Sequence, residues 1–185
     1  MSWQAISLNG IELIKAFETC KLQACLDTRG RWSIGYGHHG PDVTEETVID
    51  EQLADELLED DLLEAEQAVN ELVHVMLTQE QFDALVSFTL DVGVENLKES
   101  ALLKRLNQCD EKGVLIEFLR WVYCNDSVVS DLVARRKAER DLFASCRMLC
   151  TPKDIGTHEL SEGVKISHYF AASNTASMVG IGIKF

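Results

Sequence analysis

The 185 residues carry 31 Asp and Glu against 17 Lys and Arg, a formal net charge of −14, and 46% of them are hydrophobic. That balance argues against a nucleic-acid partner, whose phosphates demand basic surfaces, and against disorder throughout. No uninterrupted apolar run is long enough for stable membrane insertion, and the length fits one domain with a sizeable core and room for an appendage.

The opening Met1-Ser2-Trp3-Gln4-Ala5-Ile6 has neither a basic start nor an apolar signal core, so the expectation is synthesis in the cytoplasm without a signal peptide. Asn9 and Glu12 have capping-box spacing, and Ile11, Ile14 and Phe17 share one face. A short helix over residues 10–18 follows, with Glu18 at its end. An acid at a helix C-terminus is electrostatically disfavoured, a setting that suits a group required to carry a proton.

Residues 20–40 read as a small antiparallel sheet. Thr28-Arg29-Gly30-Arg31 forms a turn, and Trp32, Ile34 and Tyr36 alternate after it. Asp27 stands directly before the turn, nine residues beyond Glu18, and Ser33 follows it. Gly35 and Gly37 can let backbone approach backbone beside the first helix. His38-His39 is too lean a pair for a metal site and reads as structural.

After a loop over residues 41–47, a long amphipathic helix begins at Asp50, with Leu53, Leu57, Leu58, Leu62, Ala65, Val69 and Leu72 at helical spacing. Residues 42–71 hold thirteen acids and no Lys or Arg, whereas residues 98–153 hold eleven bases against eight acids. The acidity is therefore local, and one face can be acidic while another meets a substrate. The strip reads as a solvated face, with a cation- or partner-binding surface as the alternative.

Thr78 caps the next helix, which Gly93 ends. Leu102, Leu103 and Leu106 form another apolar face, as do Val114, Leu115, Phe118 and Leu119. Trp121 is either a sugar-stacking ring or a core aromatic. A last helix opens at Leu132 and ends near Phe143. The six cysteines show no C-x-x-C pair and read as small buried side chains that stay reduced. The domain boundary is expected between residues 147 and 148. In the extension 148–185, alternating apolar residues over 164–170 and 179–185 suggest a hairpin or a loose tail.

Two acids, one closing a helix and one beside a turn, can face each other across a cleft. Glycoside hydrolysis needs that geometry: one carboxyl protonates the leaving oxygen while the other acts from the opposite face of the sugar. The spacing of Glu18, eight residues, Asp27, five residues and Ser33 resembles the phage-type lysozymes of glycoside hydrolase family 24, in which Thr is usual at the last position. Leu77-Thr78-Gln79-Glu80-Gln81-Phe82-Asp83-Ala84-Leu85-Val86-Ser87-Phe88, Glu117-Phe118-Leu119-Arg120-Trp121 and the Arg135-Arg136 segment extend the resemblance, in order, from about Ile6 to Phe143.

The resemblance implies a mainly α, α+β fold of two lobes, with a small N-terminal sheet and a helical C-terminal lobe. It implies a muramidase that cleaves the β-1,4 bond between N-acetylmuramic acid and N-acetylglucosamine with inversion. Glu18 is then the general acid, and Asp27 with Ser33 activates the attacking water. Arg135 reaches Glu18, Asp61 partners His38, and Gly35, Asp91 and Trp121 support the site or its substrate. No metal or organic cofactor is implied. Peptidoglycan is the partner, reached through a holin or another export route, and the site of action is the wall after release.

The sequence departs from the family at Thr19, where Gly is usual, at Cys25, often aromatic, and at Asn125-Asp126, commonly a glycine pair. Asp91 stands where the family has an amide that helps bind sugar. Two other readings stay open: a lysozyme-like domain that binds peptidoglycan or protein without turnover, and a secreted lytic effector.

Overall fold

The computed structural model describes residues 3–27, 30–124 and 126–148. Among them the chain forms, in order, α1 (Leu8–Phe17), β1 (Lys21–Leu26), β2 (Trp32–Gly35), α2 (Glu51–Leu72), α3 (Gln79–Val92), α4 (Val94–Glu99), α5 (Ala101–Asn107), α6 (Glu111–Phe118), β3 (Tyr123–Cys124), β4 (Ser127–Val128) and α7 (Ser130–Ala144). The result is the mainly helical α+β architecture the sequence implies, with two small antiparallel sheets. Residues 149–185, nearly all of the extension drawn over 148–185, lie outside the described residues together with Met1, Ser2, Thr28, Arg29 and Asn125, and so does the hairpin expected in the extension.

The first helix is capped by Ser7, not by Asn9 as its spacing suggested. The Ser7 hydroxyl accepts from the Gly10 N–H at 3.3 Å. Its backbone N–H donates to Asp83 Oδ1 at 2.9 Å, and its hydroxyl bonds Asp83 Oδ2. A tertiary partner on α3 thus decides which residue starts α1, a preference that local spacing cannot express.

Next, β1 and β2 form a hairpin with Cys25 opposite Ser33 and Leu26 opposite Trp32. Residues 47–49 run along its other edge, where Ala24 N–H donates to Thr47 O at 3.0 Å and Ile49 N–H to Leu22 O at 2.9 Å. Beneath lies a small apolar cluster of Ala24, Ile34 and Val43, flanked by Trp32, Ile49 and Leu57.

The long helix α2 joins this cluster to a larger one. Leu57 faces the small cluster, while Leu58, Leu62, Ala65 and Val69 enter the main core. Leu53, expected on the apolar face, is exposed. Asp50 caps the helix by accepting from the Leu53 N–H at 2.9 Å.

In α3 the main core has its axis. Phe82, Leu85, Val86 and Phe88 are each at most 1% exposed, and the helix starts in a complete capping box between Thr78 and Gln81. Gly93, at φ +89°, ends it in a conformation that favours glycine. Leu102, Leu103 and Leu106 from α5, Val114 and Phe118 from α6 and Phe143 from α7 pack around it. Phe88 meets Phe118 edge-on with ring centroids 5.4 Å apart. Burial of each such ring contributes about 1.5–3 kcal/mol.

Two expectations are corrected. Cys20, Cys25, Cys124 and Cys146 are free, with Cys124 exposed, but Cys109 is disulfide-bonded and not reduced. The last helix opens at Ser130, two residues before Leu132. Among the described residues, no helix is long and apolar enough to cross a membrane.

Candidate active site

Glu18 is where α1 stops. Its backbone turns extended, at φ −100° and ψ 125°, while its N–H still donates to Ile14 O at 3.0 Å. The carboxylate therefore leaves the helix end with its side chain 29% exposed. Gly37, at φ +104°, runs past it: a Cβ there would lie 4.0 Å from Glu18 Oε2. Gly35 backs instead onto α2, where a Cβ would meet Ala54 at 3.5 Å. Of the two glycines, Gly37 is the one beside the first helix.

Asp27 and Ser33 belong to one hairpin. The Asp27 carboxylate accepts from the Arg31 backbone N–H and from Arg31 Nε, each at 2.9 Å, and Asp27 N–H donates to Arg31 O at 2.8 Å. Charge-assisted bonds of this kind suit an ionised carboxylate. Ser33 is buried on β2 and donates to Cys25 O at 3.4 Å. The three candidate catalytic residues thus come from the end of α1 and from the hairpin that follows it.

Behind Glu18 lies a buried ionic cluster on α3 and α7. Arg135 bonds Glu18 Oε1 through Nη1, donates from Nε to Glu139 Oε1 at 3.1 Å and from Nη2 to Ser87 O at 3.3 Å. The same Nη1 stands 3.6 Å from Asp91 Oδ1. Arg136 bonds Asp91 Oδ2 and Glu139 Oε2, and its guanidinium lies over the Phe88 ring at 4.9 Å. The Ser87 hydroxyl donates to Glu139 Oε1 at 2.7 Å. Burial pushes the Glu139 carboxyl above its ordinary range, against the pull of Arg136 and Arg135, and pulls the Arg136 guanidinium below its own, against Glu139.

The contact between Arg135 and Glu18 is the one the resemblance implied. Arg136, Glu139 and Ser87 were not singled out in the sequence. The available signal was local: Glu139 lies four residues after Arg135 and three after Arg136, so both guanidiniums reach it on one face of α7. Asp91, expected near sugar, spends its carboxylate on both arginines.

His38 lies outside this cluster. Its Nδ1 is 2.9 Å from Asp61 Oδ1 and its Nε2 is 3.2 Å from Asp42 Oδ2. Burial disfavours charge on the imidazole, but the Asp61 and Asp42 carboxylates outweigh it and raise its pKa above the ordinary 6.5. Trp121 is half-buried, its ring edge-on to Phe88 at 5.5 Å, the packing of a core aromatic that backs the ring beneath Arg136. A shallow cavity of about 470 Å³ lies elsewhere, lined by Val48, Ile49, Asp50, Gln52, Leu53 and Glu56. Among the described residues, no group of three or more His, Cys, Asp or Glu could hold a metal ion.

The phage lysozyme family model matches residues 15–139, a stretch that holds both Glu18 and Glu139. An endolysin of Bacillus phage PZA is 41% identical over 152 residues, which are 81% of this chain and 57% of that protein. The chain therefore spans little more than half the length of this relative. An endolysin of Salmonella phage P22 is 36% identical over 144 residues, covering 76% of this chain and 98% of the relative. Among solved structures, the muramidase domain of SpmX from Asticaccaulis excentricus superposes with a TM-score of 0.71 at 41% identity, over 76% of this chain and 97% of that domain.

Proposed function

This chain belongs to the phage lysozyme family, and from that membership we propose that it is a peptidoglycan muramidase acting in bacterial lysis as a phage or prophage endolysin. It hydrolyses the β-1,4 bond between N-acetylmuramic acid and N-acetylglucosamine. The observation that carries the reading is the Glu18 carboxyl, set at the end of α1 and bonded by the buried Arg135, beside the hairpin that bears Asp27 and Ser33.

Glu18 donates its proton to the glycosidic oxygen as the C1–O bond breaks and positive charge develops on the sugar. A water attacks C1 from the opposite face. Asp27, ionised beside Arg31, takes the proton from that water, and Ser33 orients it. With no covalent intermediate the product carries the inverted, α configuration at C1. Inversion requires the two carboxyls to stand roughly 6.5–9.5 Å apart, so that a water fits between substrate and base. Arg135, which bonds Glu18, is a supporting residue in this scheme, whereas His38, Gly35 and Trp121 contribute through the packing of the fold around it.

As an endolysin the enzyme acts on the wall, reaching it through a holin or another export route. The test is loss of turbidity in outer-membrane-permeabilised Gram-negative cells, wild type beside Glu18→Gln. Lysis by the wild type and none by the variant is expected; equal lysis by both would remove Glu18 from the mechanism. The anomer first released, read by proton NMR, checks the inversion.

A further inference from the structure

Glu139 is a charged side chain at 0% exposure that the proposed chemistry leaves without a task. Burying a carboxylate is costly, and apolar side chains in place of a buried ion cluster often leave a protein as stable or more so. Stability alone does not account for it. We propose that Glu139 is a positioning residue for the hydrolysis, holding the Arg135 guanidinium so that it meets Glu18. This rests on the reading of Glu18 as the general acid.

A guanidinium is a flat, rigid fork, so bonds made on two of its nitrogens fix both its plane and its rotation. Arg135 makes those two bonds inside the core. Its Nε donates to Glu139 Oε1 at 3.1 Å and its Nη2 to Ser87 O at 3.3 Å. The third nitrogen, Nη1, is thereby turned to Glu18. Both anchors are themselves held. Ser87 O belongs to the backbone of α3, and Glu139 lies one turn beyond Arg135 on α7. The Ser87 hydroxyl donates to Glu139 Oε1 at 2.7 Å, and Arg136 Nη1 donates to Glu139 Oε2. Ser87 thus holds Arg135 directly through its carbonyl and again through Glu139.

Asp91 does not do this work. It meets Arg135 only at Nη1, the nitrogen already turned to Glu18, and at 3.6 Å. Glu139 alone among the carboxyls of the cluster reaches Nε, the root of the fork. Arg135 is a long side chain with much rotamer freedom, and without that bond one anchor, Ser87 O, remains to set its direction. Glu18 then loses a partner of fixed position at the end of α1, and a displacement of about 1 Å at a reacting group costs on the order of a hundredfold in rate.

The test is a double-mutant cycle in rate. Reducing-end release from purified peptidoglycan is followed over a range of substrate concentrations for wild type, Glu139→Gln, Arg135→Ala and the double variant, each shown folded by circular dichroism. Arg135→Lys replaces Arg135→Ala if the latter leaves no rate to measure. Gln keeps the volume but has one acceptor oxygen, so it cannot serve Arg135, Arg136 and the Ser87 hydroxyl together. Glu139→Gln should lower kcat about tenfold or more with KM changed by less than about twofold. On the Arg135 variant it should cost nothing further, because the group it acts through is gone. A folded Glu139→Gln with the kcat of the wild type would overturn the proposal. Equal losses in both backgrounds would do so too, since they mark a purely structural role. Ser87→Ala removes only the hydroxyl's bond to Glu139 and decides the matter if Glu139→Gln fails to fold. A few-fold loss of kcat confined to the chain with Arg135 intact is expected, and no loss, or a loss in both backgrounds, overturns the proposal. Should Glu18→Gln be inert while Glu139→Gln matches the wild type, only the role of Glu139 falls. Should Glu18→Gln turn over peptidoglycan like the wild type, the general-acid reading falls and takes the proposal with it.

Discussion

His38 Nδ1 lies 2.9 Å from Asp61 Oδ1, tying the turn after β2 to the middle of α2 across the junction between the two apolar clusters. The raised pKa of His38 gives this contact a pH signature. A histidine whose folded-state pKa lies above its unfolded value contributes stability that is complete below the unfolded value, near 6.5, and is lost as pH rises through the folded value. Wild-type stability should thus fall above about pH 6.5 relative to an Asp61→Asn variant, whose slope there should be flatter. Chemical denaturation at a series of pH values measures it, and parallel curves would show that the pair contributes nothing. Lysis by the Asn variant should survive, since His38 touches none of Glu18, Asp27 and Ser33 in the described contacts.

Ser33→Ala should cost more in rate than in stability. The hydroxyl makes a bond of 3.4 Å to Cys25 O, long enough that its loss costs well under about 1 kcal/mol. Orienting the attacking water is a different matter, and a rate loss of tenfold or more is expected in the turbidity assay. Equal rates would reduce Ser33 to a sheet residue.

At Thr78 the capping box supplies two reciprocal bonds, Gln81 N–H to Thr78 Oγ1 at 3.3 Å and Thr78 N–H to Gln81 Oε1 at 3.1 Å. Thr78→Ala removes the first and should destabilise the protein by about 1 kcal/mol. Since α3 also carries Ser87 and Asp91, a lowered melting temperature with unchanged lysis at 25 °C would separate its structural task from its electrostatic one.

The elements legible in the sequence are those whose signals are local. The period of Leu58, Leu62, Ala65 and Val69, the cap at Thr78 and the glycine at position 93 marked α2 and α3 directly. What could not be read there depends on partners far along the chain. Ser7 outcompetes Asn9 as a cap only because Asp83, 76 residues away, bonds it twice. Arg136 and Glu139 are charged residues at 0% exposure, a placement no composition rule favours. It becomes stable only when α3 brings Ser87, Phe88 and Asp91 against α7. Glu18, Asp27 and Ser33 could be proposed from the sequence because their spacing follows a known pattern; the cluster behind Glu18 could not, because its members are drawn from two helices distant in the chain, α3 and α7.

Gly10 is the point where α1 rests on α3. A Cβ there would meet Ile6 Cγ1 at 2.6 Å and the Asp83 side chain at 2.8 and 2.9 Å, closer than carbon atoms pack. Asp83 cannot swing aside cheaply: it is 1% exposed and held by the Ser7 N–H, the Ser7 hydroxyl and Gln79 Nε2. Gly10→Ala must therefore push α1 off α3 or break that network. The gain in helix propensity, about 1 kcal/mol, is set against an overpacking cost of about 1–3 kcal/mol, so net destabilisation is expected. The displaced helix also carries Glu18 at its far end, and a small shift there alters its bond to Arg135. Lytic activity should accordingly fall further than the denaturation midpoint alone accounts for. A variant as stable and as active as the wild type would show that α1 has room to move, and that the position of Glu18 is fixed by Arg135 and not by the packing of its helix.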